Sequence, residues 1–393
     1  MKWDRVPLGE LCAIKSGGTP SRSKLHYFGG CIPWVKITDL LQGEVLQTEE
    51  CLSDAGIENS AARVLPKGTV LISIFATIGR TAVLGIDAAT NQAVAGITPN
   101  DPERLRPRYL RYFLDASRPT LERLARGVAQ PNINQAVLKA LEVPVPPSVE
   151  QDQIVDLLSR AENIVRMRRE AEQKAKEIIP ALFLDMFGDP GTNPRGWEVR
   201  HVGDVIRSAE YGTSTKASED GSGMPVIRMG NVDVTGRLSL ADLKYVVLPE
   251  AAQRKYALET GDILFNRTNS KELVGKTGIW RLSEPAVAAS YFVRVRVNED
   301  TILPDYFWAF MNTRHMKSVL YSTARGAIGQ SNINAQELRA LAIPCPPTSL
   351  QQAFAGRTAE ALDLEQQQRR ASETGQTAFQ SLLAGVFSVG CAT

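Results

Sequence analysis

One stretch of this sequence occurs twice. Residues 131–147 read PNINQAVLKALEVPVPP, and residues 331–347 read SNINAQELRALAIPCPP. When the comparison starts one residue earlier, at Gln130 and Gln330, ten of the 18 aligned positions are identical. Copies that lie 200 residues apart indicate a duplicated unit of domain size, not a short solenoid motif.

The rest of the chain matches in the same order. WDRVPLGEL, which begins at Trp3, is similar to WEVRHVGDV at Trp197, and KGTVLISI at Lys67 is similar to TGDILFNR at Thr260. IPWVKITDL parallels MPVIRMGNV, and IGRTAVLG parallels VGKTGIW. The similarity is weak between residues 86 and 125 and strong at the end of each unit. These patterns predict two related domains that present different surfaces.

Each domain is predicted to mix helices and strands. The runs GTVLISIFA and GDILFN are short and apolar, which is typical of buried strands. YFVRVRVN alternates valine with arginine, so we expect a half-buried strand. PRYLRYFLDAS and PDYFWAFMNT begin with proline and carry apolar residues on one face, which predicts two helices.

The repeated phrase predicts how each domain ends. Asn134 and Asn334 are suited to cap a short helix through their side-chain oxygens. The following strands, EVPVPP and AIPCPP, contain prolines that cannot donate to a sheet, so each strand must lie at an edge or leave the domain. The next segments, SVEQ and TSLQ, fit the capping-box pattern of Ser or Thr with Gln three residues later.

Two long amphipathic helices are predicted after these segments. Apolar residues recur at heptad-like spacing over residues 154–182 and again over residues 354–386. One helix alone cannot bury such a stripe, so we expect the two helices to pair, antiparallel, as a spacer of at most roughly 60 Å with a domain at each end. Pro180 predicts a kink or break near Ile179, and Gly188 is suited to a C-terminal cap.

The predicted fold class is α+β. Two mixed α/β domains in tandem pseudo-repeat are separated by a pair of long antiparallel coiled-coil helices. The expected boundaries are 1–147 for the first domain, 148–190 for the first helix, 191–347 for the second domain and 348–393 for the second helix.

Composition argues against several classes of protein. Hydrophobic residues make up 43% of the 393 residues, enough for proper cores, and a net charge of +2 does not by itself indicate a nucleic-acid partner. The five cysteines and three histidines are scattered, without the spacing of a disulfide framework or a metal site. The first residues lack the apolar core of a signal peptide, and no apolar run is long enough for a membrane span. We therefore expect a cytoplasmic protein.

The segment VGKTG resembles part of a phosphate-binding P-loop. That motif requires a glycine five residues before Gly275, and Ser270 occupies this position. The parallel segment in the first unit reads Gly79-Arg80-Thr81, so we favour a shared turn with a basic residue at its tip. No carboxylate pair, nucleophile motif, dinucleotide fingerprint or Asx-Pro-Pro-aromatic stretch is present, and no catalytic centre is predicted.

Basic residues are the remaining candidates for function. Seven arginines lie between residues 103 and 126 and form either a solvated helix face or contacts to DNA phosphates. Cations kept in both copies are stronger candidates, and the Gln and Asn of the repeated phrase can bond bases, phosphates or local backbone. The candidate DNA-binding residues are Lys36, Arg80, Arg126, Gln130, Asn132, Arg228, Arg267, Lys276, Arg325, Gln330 and Asn332.

The duplication, the paired Asn-Ile-Asn phrases, the Pro-Pro-x-x-x-Gln helix starts and the series IRMGNV, GDILFNR and VGKTG resemble the specificity subunits of type I restriction–modification systems. The resemblance extends over essentially the whole chain. It implies a non-catalytic subunit whose two target-recognition domains each read half of a split double-stranded DNA target, with the helices setting the gap.

The resemblance also implies partners. Two modification subunits would methylate adenine with S-adenosylmethionine, and restriction subunits would translocate and cut DNA with ATP and Mg²⁺, so this chain itself would bind no cofactor or metal. The helices would dock the modification subunits, with Ile154, Leu158, Ile164, Val165, Phe354, Leu364, Phe379 and Leu382 as candidate interface residues.

Two alternatives remain open from the sequence. A coiled-coil scaffold with duplicated domains would bind proteins and show no affinity for DNA even with its partners present. An NTPase or hydrolase would show turnover as a purified chain.

Overall fold

The computed structural model describes residues 3–125, 132–327 and 330–388. The chain divides into two compact units, Met1–Arg169 with Arg370–Thr393, and Glu170–Arg369. Each unit therefore contains one domain, the first half of the long helix that follows this domain, and the last half of the other long helix.

The domain of unit 1 mixes helices and sheets. Its helices are α1 (Leu8–Leu11), α2 (Asp54–Glu58), α3 (Pro107–Ala125) and α4 (Gln135–Lys139), with 3-10 helices at Leu25–Tyr27 and Ile37–Gln42. Its strands are β1 (Arg5–Pro7), β2 (Cys12–Ser16), β3 (Phe28–Val35), β4 (Glu44–Val45), β5 (Glu50–Leu52), β6 (Val64–Leu65), β7 (Val70–Ser73), β8 (Thr81–Leu84), β9 (Ala88–Thr90), β10 (Val94–Pro99) and β11 (Glu142–Pro144). They form three sheets in the orders β2-β10-β7-β8-β4, β5-β3-β9-β6 and β1-β11.

The domain of unit 2 repeats this plan. Its helices are α6 (Glu250–Tyr256), α7 (Pro304–Met311), α8 (Arg314–Thr323) and α9 (Ala335–Arg339), with 3-10 helices at Val202–Asp204 and Met229–Asn231. Its strands are β12 (Glu198–His201), β13 (Ile206–Tyr211), β14 (Met224–Ile227), β15 (Lys244–Val246), β16 (Ile263–Asn266), β17 (Thr268–Asn269), β18 (Thr277–Ile279), β19 (Val287–Ala288), β20 (Phe292–Val297), β21 (Arg325–Ala327), β22 (Gln330–Asn332) and β23 (Ala342–Cys345). The order β13-β20-β16-β18 matches β2-β10-β7-β8, and β12-β23 matches β1-β11.

Several local predictions are confirmed. The apolar runs form the fully buried strands β7 and β16, and the proline-led segments form α3 and α7. Asn134 accepts a hydrogen bond from the amide of Val137 at 3.0 Å, and Asn334 accepts one from the amide of Glu337 at 2.9 Å. The proline-containing strands β11 and β23 each belong to a two-stranded sheet, so both lie at an edge as expected.

The two long helices are α5 (Ser148–Phe187) and α10 (Thr348–Ser388). They pack together and run antiparallel: Val165 lies against Gly375 in unit 1, and Phe187 contacts Phe354 in unit 2 with ring centroids 5.2 Å apart. The end of α5 is buried in the core of unit 2 through Ile179, Phe183 and Phe187, and the end of α10 is buried in the core of unit 1 through Phe379, Leu383 and Phe387. The end of each long helix therefore completes the core of the unit in which the other long helix starts.

The predicted break at Pro180 is wrong, because α5 is continuous through it. Pro180 removes one backbone hydrogen bond on an exposed position. Its neighbours Ile179 and Phe183 are only 2% and 1% exposed in the core of unit 2, and their burial keeps the helix intact. Gly188 ends α5 with φ +81° and donates to the carbonyl of Leu184 at 2.9 Å, as predicted.

The prediction that β20 is half-buried is also wrong. Arg294, in its middle, is only 6% exposed. Its guanidinium donates to the carbonyl of Ala257 at 2.6 Å and forms an ion pair with Glu210. The alternation of valine with arginine therefore marks a strand that is covered on both faces, one apolar and one with paired charges.

The capping-box prediction for Gln151 and Gln351 is wrong as well, and the observed contacts are more informative. Gln151 is fully buried; its Oε1 accepts from the amide of Arg106 at 2.9 Å, and its Nε2 donates to the carbonyls of Arg104 at 2.8 Å and Pro146 at 2.9 Å. Arg104 and Arg106 belong to the segment before α3, and Pro146 lies just before α5, so the glutamine ties the start of the long helix to the domain as well as to the adjoining backbone.

Unit 2 repeats this joint. Gln351 accepts from the amide of Leu303 at 2.8 Å and donates to the carbonyls of Thr301 at 3.0 Å and Pro346 at 2.8 Å. A buried tyrosine completes each joint: Tyr109 donates to the carbonyl of Pro144, and Tyr306 to that of Pro344, both at 2.8 Å. The same hydrogen bonds thus fix each domain on the first turn of its own long helix.

We predict that Gln151→Ala lowers the free energy of unfolding of this chain by about 2–4 kcal/mol, because it leaves buried backbone groups without partners. Chemical denaturation followed by circular dichroism measures the difference. Gln153→Ala, an exposed position on the same helix, is the control and should change stability by less than about 0.5 kcal/mol. Equal effects of the two substitutions would contradict a specific role for Gln151.

Candidate nucleic-acid interface

The repeated phrase lies beside the end of the central strand in both domains. In unit 2, the amide of Ile333 donates to the carbonyl of Arg267 at 2.9 Å, and in unit 1 the amide of Ile133 donates to the carbonyl of Ile74 at 3.1 Å. The segments that follow β7 and β16 therefore meet the Asn-Ile-Asn phrase at the same place. We call these two places the strand-end surfaces of unit 1 and unit 2.

The strand-end surface of unit 2 is a small sheet. β17 follows β16 after one residue and pairs with β22, which also pairs with β21. Asn332 lies opposite both Thr268 and Arg325. Backbone pairing thus brings Arg267, Arg325, Gln330 and Asn332 into one region; of Arg325 and Gln330 only the backbone is described.

Arg267 is the best-placed cation of this surface. Its guanidinium carbon lies 4.7 Å from the ring centroid of Tyr211, and its Nε donates to Oδ1 of Asn332 in a long hydrogen bond of 3.5 Å. Nearby in sequence, Nζ of Lys271 lies 4.5 Å from the ring centroid of Tyr321. A guanidinium that lies over the ring of a tyrosine, itself 44% exposed, can form two parallel hydrogen bonds to a phosphate or a base edge.

The strand-end surface of unit 1 has different chemistry at the corresponding positions. Ile74 takes the place of Arg267, and Phe75 forms a β-bridge with Asn132, which is exposed. Ala76 has a left-handed backbone with φ +57°, a conformation that costs a residue with a Cβ about 1–2 kcal/mol. The predicted residues Arg126 and Gln130 lie outside the described residues. The two domains therefore share a scaffold and differ in the side chains that they present.

Lys36 and Arg228 occupy equivalent positions, as predicted, but both are paired. Each residue precedes a 3-10 helix. Nζ of Lys36 lies 2.7 Å from Glu49 and 2.9 Å from Glu50, and these hydrogen bonds raise the pKa of Lys36. Arg228 forms an ion pair with Asp242 at 2.9 Å. A phosphate would have to replace these carboxylates to bind either cation.

Arg80 and Lys276 also share a backbone setting, since each follows a glycine with φ near +80°. Their side chains differ: Arg80 is partly exposed and has no hydrogen bond or ion pair from its guanidinium to another described residue, whereas Lys276 is 9% exposed and donates to the carbonyls of Met229 at 2.8 Å and Val232 at 2.6 Å. Burial lowers the pKa of Lys276. Lys276 holds this turn to the preceding 3-10 helix, so we leave it out of the candidate interface.

The arginines between residues 103 and 126 are largely neutralised within unit 1. Arg106 pairs with Asp152 at 3.1 Å, Arg108 with Glu44 at 3.2 Å, and Arg118 with Glu122 at 2.8 Å. Arg111 is buried against Glu162. The run is therefore mainly a set of intramolecular ion pairs.

The candidate helix residues divide into two groups. Leu158, Val165, Phe354 and Phe379 are at most 9% exposed in the cores of their own units, and Ile154 and Leu382 pack against the core of unit 1. Ile164 is 56% exposed and Leu364 is 39% exposed. Only these last two keep a large apolar surface for another chain.

Sequence reasoning missed Tyr211, Lys271 and Tyr321. Tyr211 ends β13, which is separated from Arg267 along the chain and approaches it only through the strand order of the sheet. Lys271 and Tyr321 lie on a segment and a helix that the repeat does not align. The signal available was the combination of exposed aromatic and basic residues, which is recognisable only once the neighbours in space are known.

Other classes of site find no support in the described parts of the chain. Over residues 3–125, 132–327 and 330–388, no three His, Cys, Asp or Glu side chains are grouped in a way that could hold a metal ion. Within the same ranges, no helix is both long and apolar enough to cross a membrane.

Comparisons with known proteins agree with this fold. The family model described as "Type I restriction modification DNA specificity domain" matches residues 1–177 and again residues 194–363. The chain is 23% identical to the MjaIX specificity subunit of Methanocaldococcus jannaschii, over 88% of this chain and 84% of that protein. It is 22% identical to the EcoKI specificity subunit of Escherichia coli K12, over 98% of this chain and 88% of that protein.

Solved structures show the same architecture. The S subunit of the type I restriction–modification system of M. genitalium aligns over 98% of this chain and 96% of its own, with 14% identity and a TM-score of 0.56. A chain from a study of assembly and conformational transition of a type I system aligns over 98% of this chain and 97% of its own, with 17% identity and a TM-score of 0.60. With two copies of the family's domain covering most of its length, the chain belongs to the type I restriction–modification DNA specificity subunits.

Proposed function

We propose that this chain selects a bipartite double-stranded DNA target, with each domain reading one half. The observation that carries this proposal is the duplicated scaffold with unlike strand-end surfaces: the sheets agree in strand order, whereas Arg267 corresponds to Ile74. Two copies of one scaffold with different side chains are suited to two half-sites of different sequence.

We further propose which residues contact DNA. On unit 2, Arg267, Asn332 and Lys271 supply donors and Tyr211 supplies an aromatic support, while Arg325 and Gln330 belong by backbone position. On unit 1, the corresponding candidates are Arg80, Asn132, Arg126 and Gln130. Lys36 and Arg228 join them if DNA phosphates displace their carboxylate partners.

In this proposal the chain recognises DNA and partner subunits perform the chemistry. S-adenosylmethionine would bind to two modification subunits, and ATP with Mg²⁺ to restriction subunits. The first half of α5 offers a surface for a modification subunit, since Val149, Leu157, Ile164 and Met167 are between 48% and 66% exposed along one stretch of helix. The complex would act in the cytoplasm, together with its DNA target.

The direct experiment is a methylation map. The chain is co-expressed with its modification subunit in a host without adenine methylation, and N6-methyladenine is located by sequencing. The proposal predicts a split motif, two short half-sites around a fixed gap. Absence of methylation from a complex that assembles and binds S-adenosylmethionine would refute the proposal and favour a protein scaffold.

We predict that Arg267→Ala weakens binding of the complex to its target by roughly tenfold to a hundredfold, because one bidentate contact is worth about 1–3 kcal/mol. Fluorescence anisotropy at several salt concentrations measures affinity and the number of ionic contacts. Arg200→Ala is the matched control, because Arg200 is paired with Glu198 on β12, which belongs to a different sheet from the strand-end surface. Arg267 has no role in reading DNA if both variants bind as the wild type does.

We predict that Ile164→Lys reduces assembly with the modification subunit by at least about tenfold, since a charge would enter an apolar contact. Size-exclusion chromatography of the co-expressed subunits measures the complex. The control, Leu25→Lys, makes the same change at an apolar side chain that is 82% exposed on the domain of unit 1. Full assembly of the Ile164 variant would place the docking surface elsewhere.

A further inference from the structure

In each unit an ion pair joins the domain to its long helix, and one of the two side chains of each pair is only 11% exposed. In unit 1, Arg111 of α3 donates through both terminal nitrogens to the carboxylate of Glu162 of α5, one of these contacts being 3.0 Å. The hydroxyl of Tyr112 donates to the same carboxylate at 2.9 Å. The side chain of Arg111 is only 11% exposed, whereas that of Glu162 is 36% exposed, so the guanidinium is shielded from water and the carboxylate is partly open to it.

The unit 1 pair is connected to the sheet. Arg111 also lies 3.3 Å from Asp115, which accepts a hydrogen bond from the hydroxyl of Thr81 on β8. A Cβ at Gly43 would lie 2.9 Å from a terminal nitrogen of Arg111, so the backbone closes on the guanidinium from the other side. A continuous polar path therefore runs from β8 through α3 to α5, with the guanidinium of Arg111 enclosed between Gly43 and the two carboxylates.

Unit 2 reaches the same arrangement with different residues. Arg237 donates to Glu365 of α10 through Nε at 2.8 Å and through a terminal nitrogen. Its guanidinium carbon lies 4.7 Å from a ring centroid of Trp308. The side chains of Arg237 and Glu365 are 20% and 11% exposed.

The two cations come from non-equivalent places in the repeat. Tyr109 and Tyr306 correspond, because each donates to the carbonyl of the matching proline, and two residues later Arg111 corresponds to Trp308. Helix α7 of unit 2 thus has no arginine at this position. The guanidinium comes instead from Arg237, which follows a turn and lies over the ring of Trp308. Two different solutions place a guanidinium against a carboxylate of the long helix.

We propose that Arg111, Glu162, Arg237 and Glu365 are positioning residues that fix the orientation of each DNA-reading domain on its helix and thereby restrict the gap between the half-sites. This inference rests on the proposed function. A bidentate guanidinium–carboxylate pair constrains rotation as well as distance, which a single contact between point charges does not. To bind DNA whose half-sites are separated by a different gap, a domain must rotate or shift on its helix. That motion must break the guanidinium–carboxylate pair.

The test compares gap lengths in the assembled complex with the modification subunit. Once the motif of the wild type is mapped, three DNA substrates carry the native gap, one base pair less and one base pair more. We expect Glu162→Gln and Glu365→Gln each to keep methylation at the native gap and to raise the ratio of altered-gap to native-gap methylation by about tenfold. Asp156→Asn is the control, because Asp156 forms an exposed pair with Arg160 on the same helix, and this ratio should not change.

The outcomes separate a positioning role from a merely structural one. Proportional loss of methylation on all three substrates would mean that the pairs only stabilise the fold, and the inference would be wrong. If a glutamine variant fails to assemble, Arg111→Lys and Arg237→Lys are used instead, because they keep the charge and lose the bidentate geometry. An increased ratio of altered-gap to native-gap methylation in these variants would support the inference, and an unchanged ratio would refute it. A wild type without a split motif refutes the proposed function and this inference together, whereas a split motif with unaltered gap preference in the variants refutes the inference alone.

Discussion

Neither long helix can be buried by its own domain, and the rest of the structure depends on this constraint. The last turns of α5 carry Ile179, Phe183 and Phe187, which pack with Phe354 and Tyr306 in unit 2. The last turns of α10 carry Phe379, Leu383 and Phe387, which pack with Tyr109, Phe113 and Leu158 in unit 1. Each core is thus finished by a helix that begins in the other unit. Apolar burial of this size, about 1.5–3 kcal/mol for each large side chain, makes the antiparallel pairing a condition of folding.

Polar contacts then determine where each domain sits on its helix. Apolar packing is not directional, and a helix can slide or rotate against a core at modest cost. The buried amides of Gln151 and Gln351 make three hydrogen bonds each. The ion pairs of Glu162 and Glu365 add directional contacts about three turns and about four turns further along their helices. For a protein whose role is to hold two readers of DNA, such directional contacts matter more than their contribution to stability.

The sequence predicted the features that depend on local chemistry or on the repeat. The structure confirms the buried strands, the asparagine caps, the proline-led helices and the pairing of the long helices. These features were predictable because periodicity and capping act over a few residues.

The contacts of side chains whose partners are distant in sequence were predicted wrongly. Gln151 fits a capping box by spacing, yet it bonds a segment about 45 residues earlier. The arginines of α3 resemble a DNA-binding face until Glu44 and Glu162 approach them in the fold. Lys276 looks like an exposed turn residue, and its ammonium is buried by carbonyls from another segment.

In the proposed function, the paired helices set the distance between the two half-site readers. We would test this first with the methylation map of a chain lacking seven residues from each helix, at 168–174 and 367–373. Seven residues shorten a helix by roughly 10 Å and change its rotation by only about 20°, so the apolar stripes stay in phase. The predicted result is a motif with unchanged half-sites and a gap shorter by about three base pairs, at 3.4 Å per base pair. An unchanged gap in a methylating complex would contradict the claim.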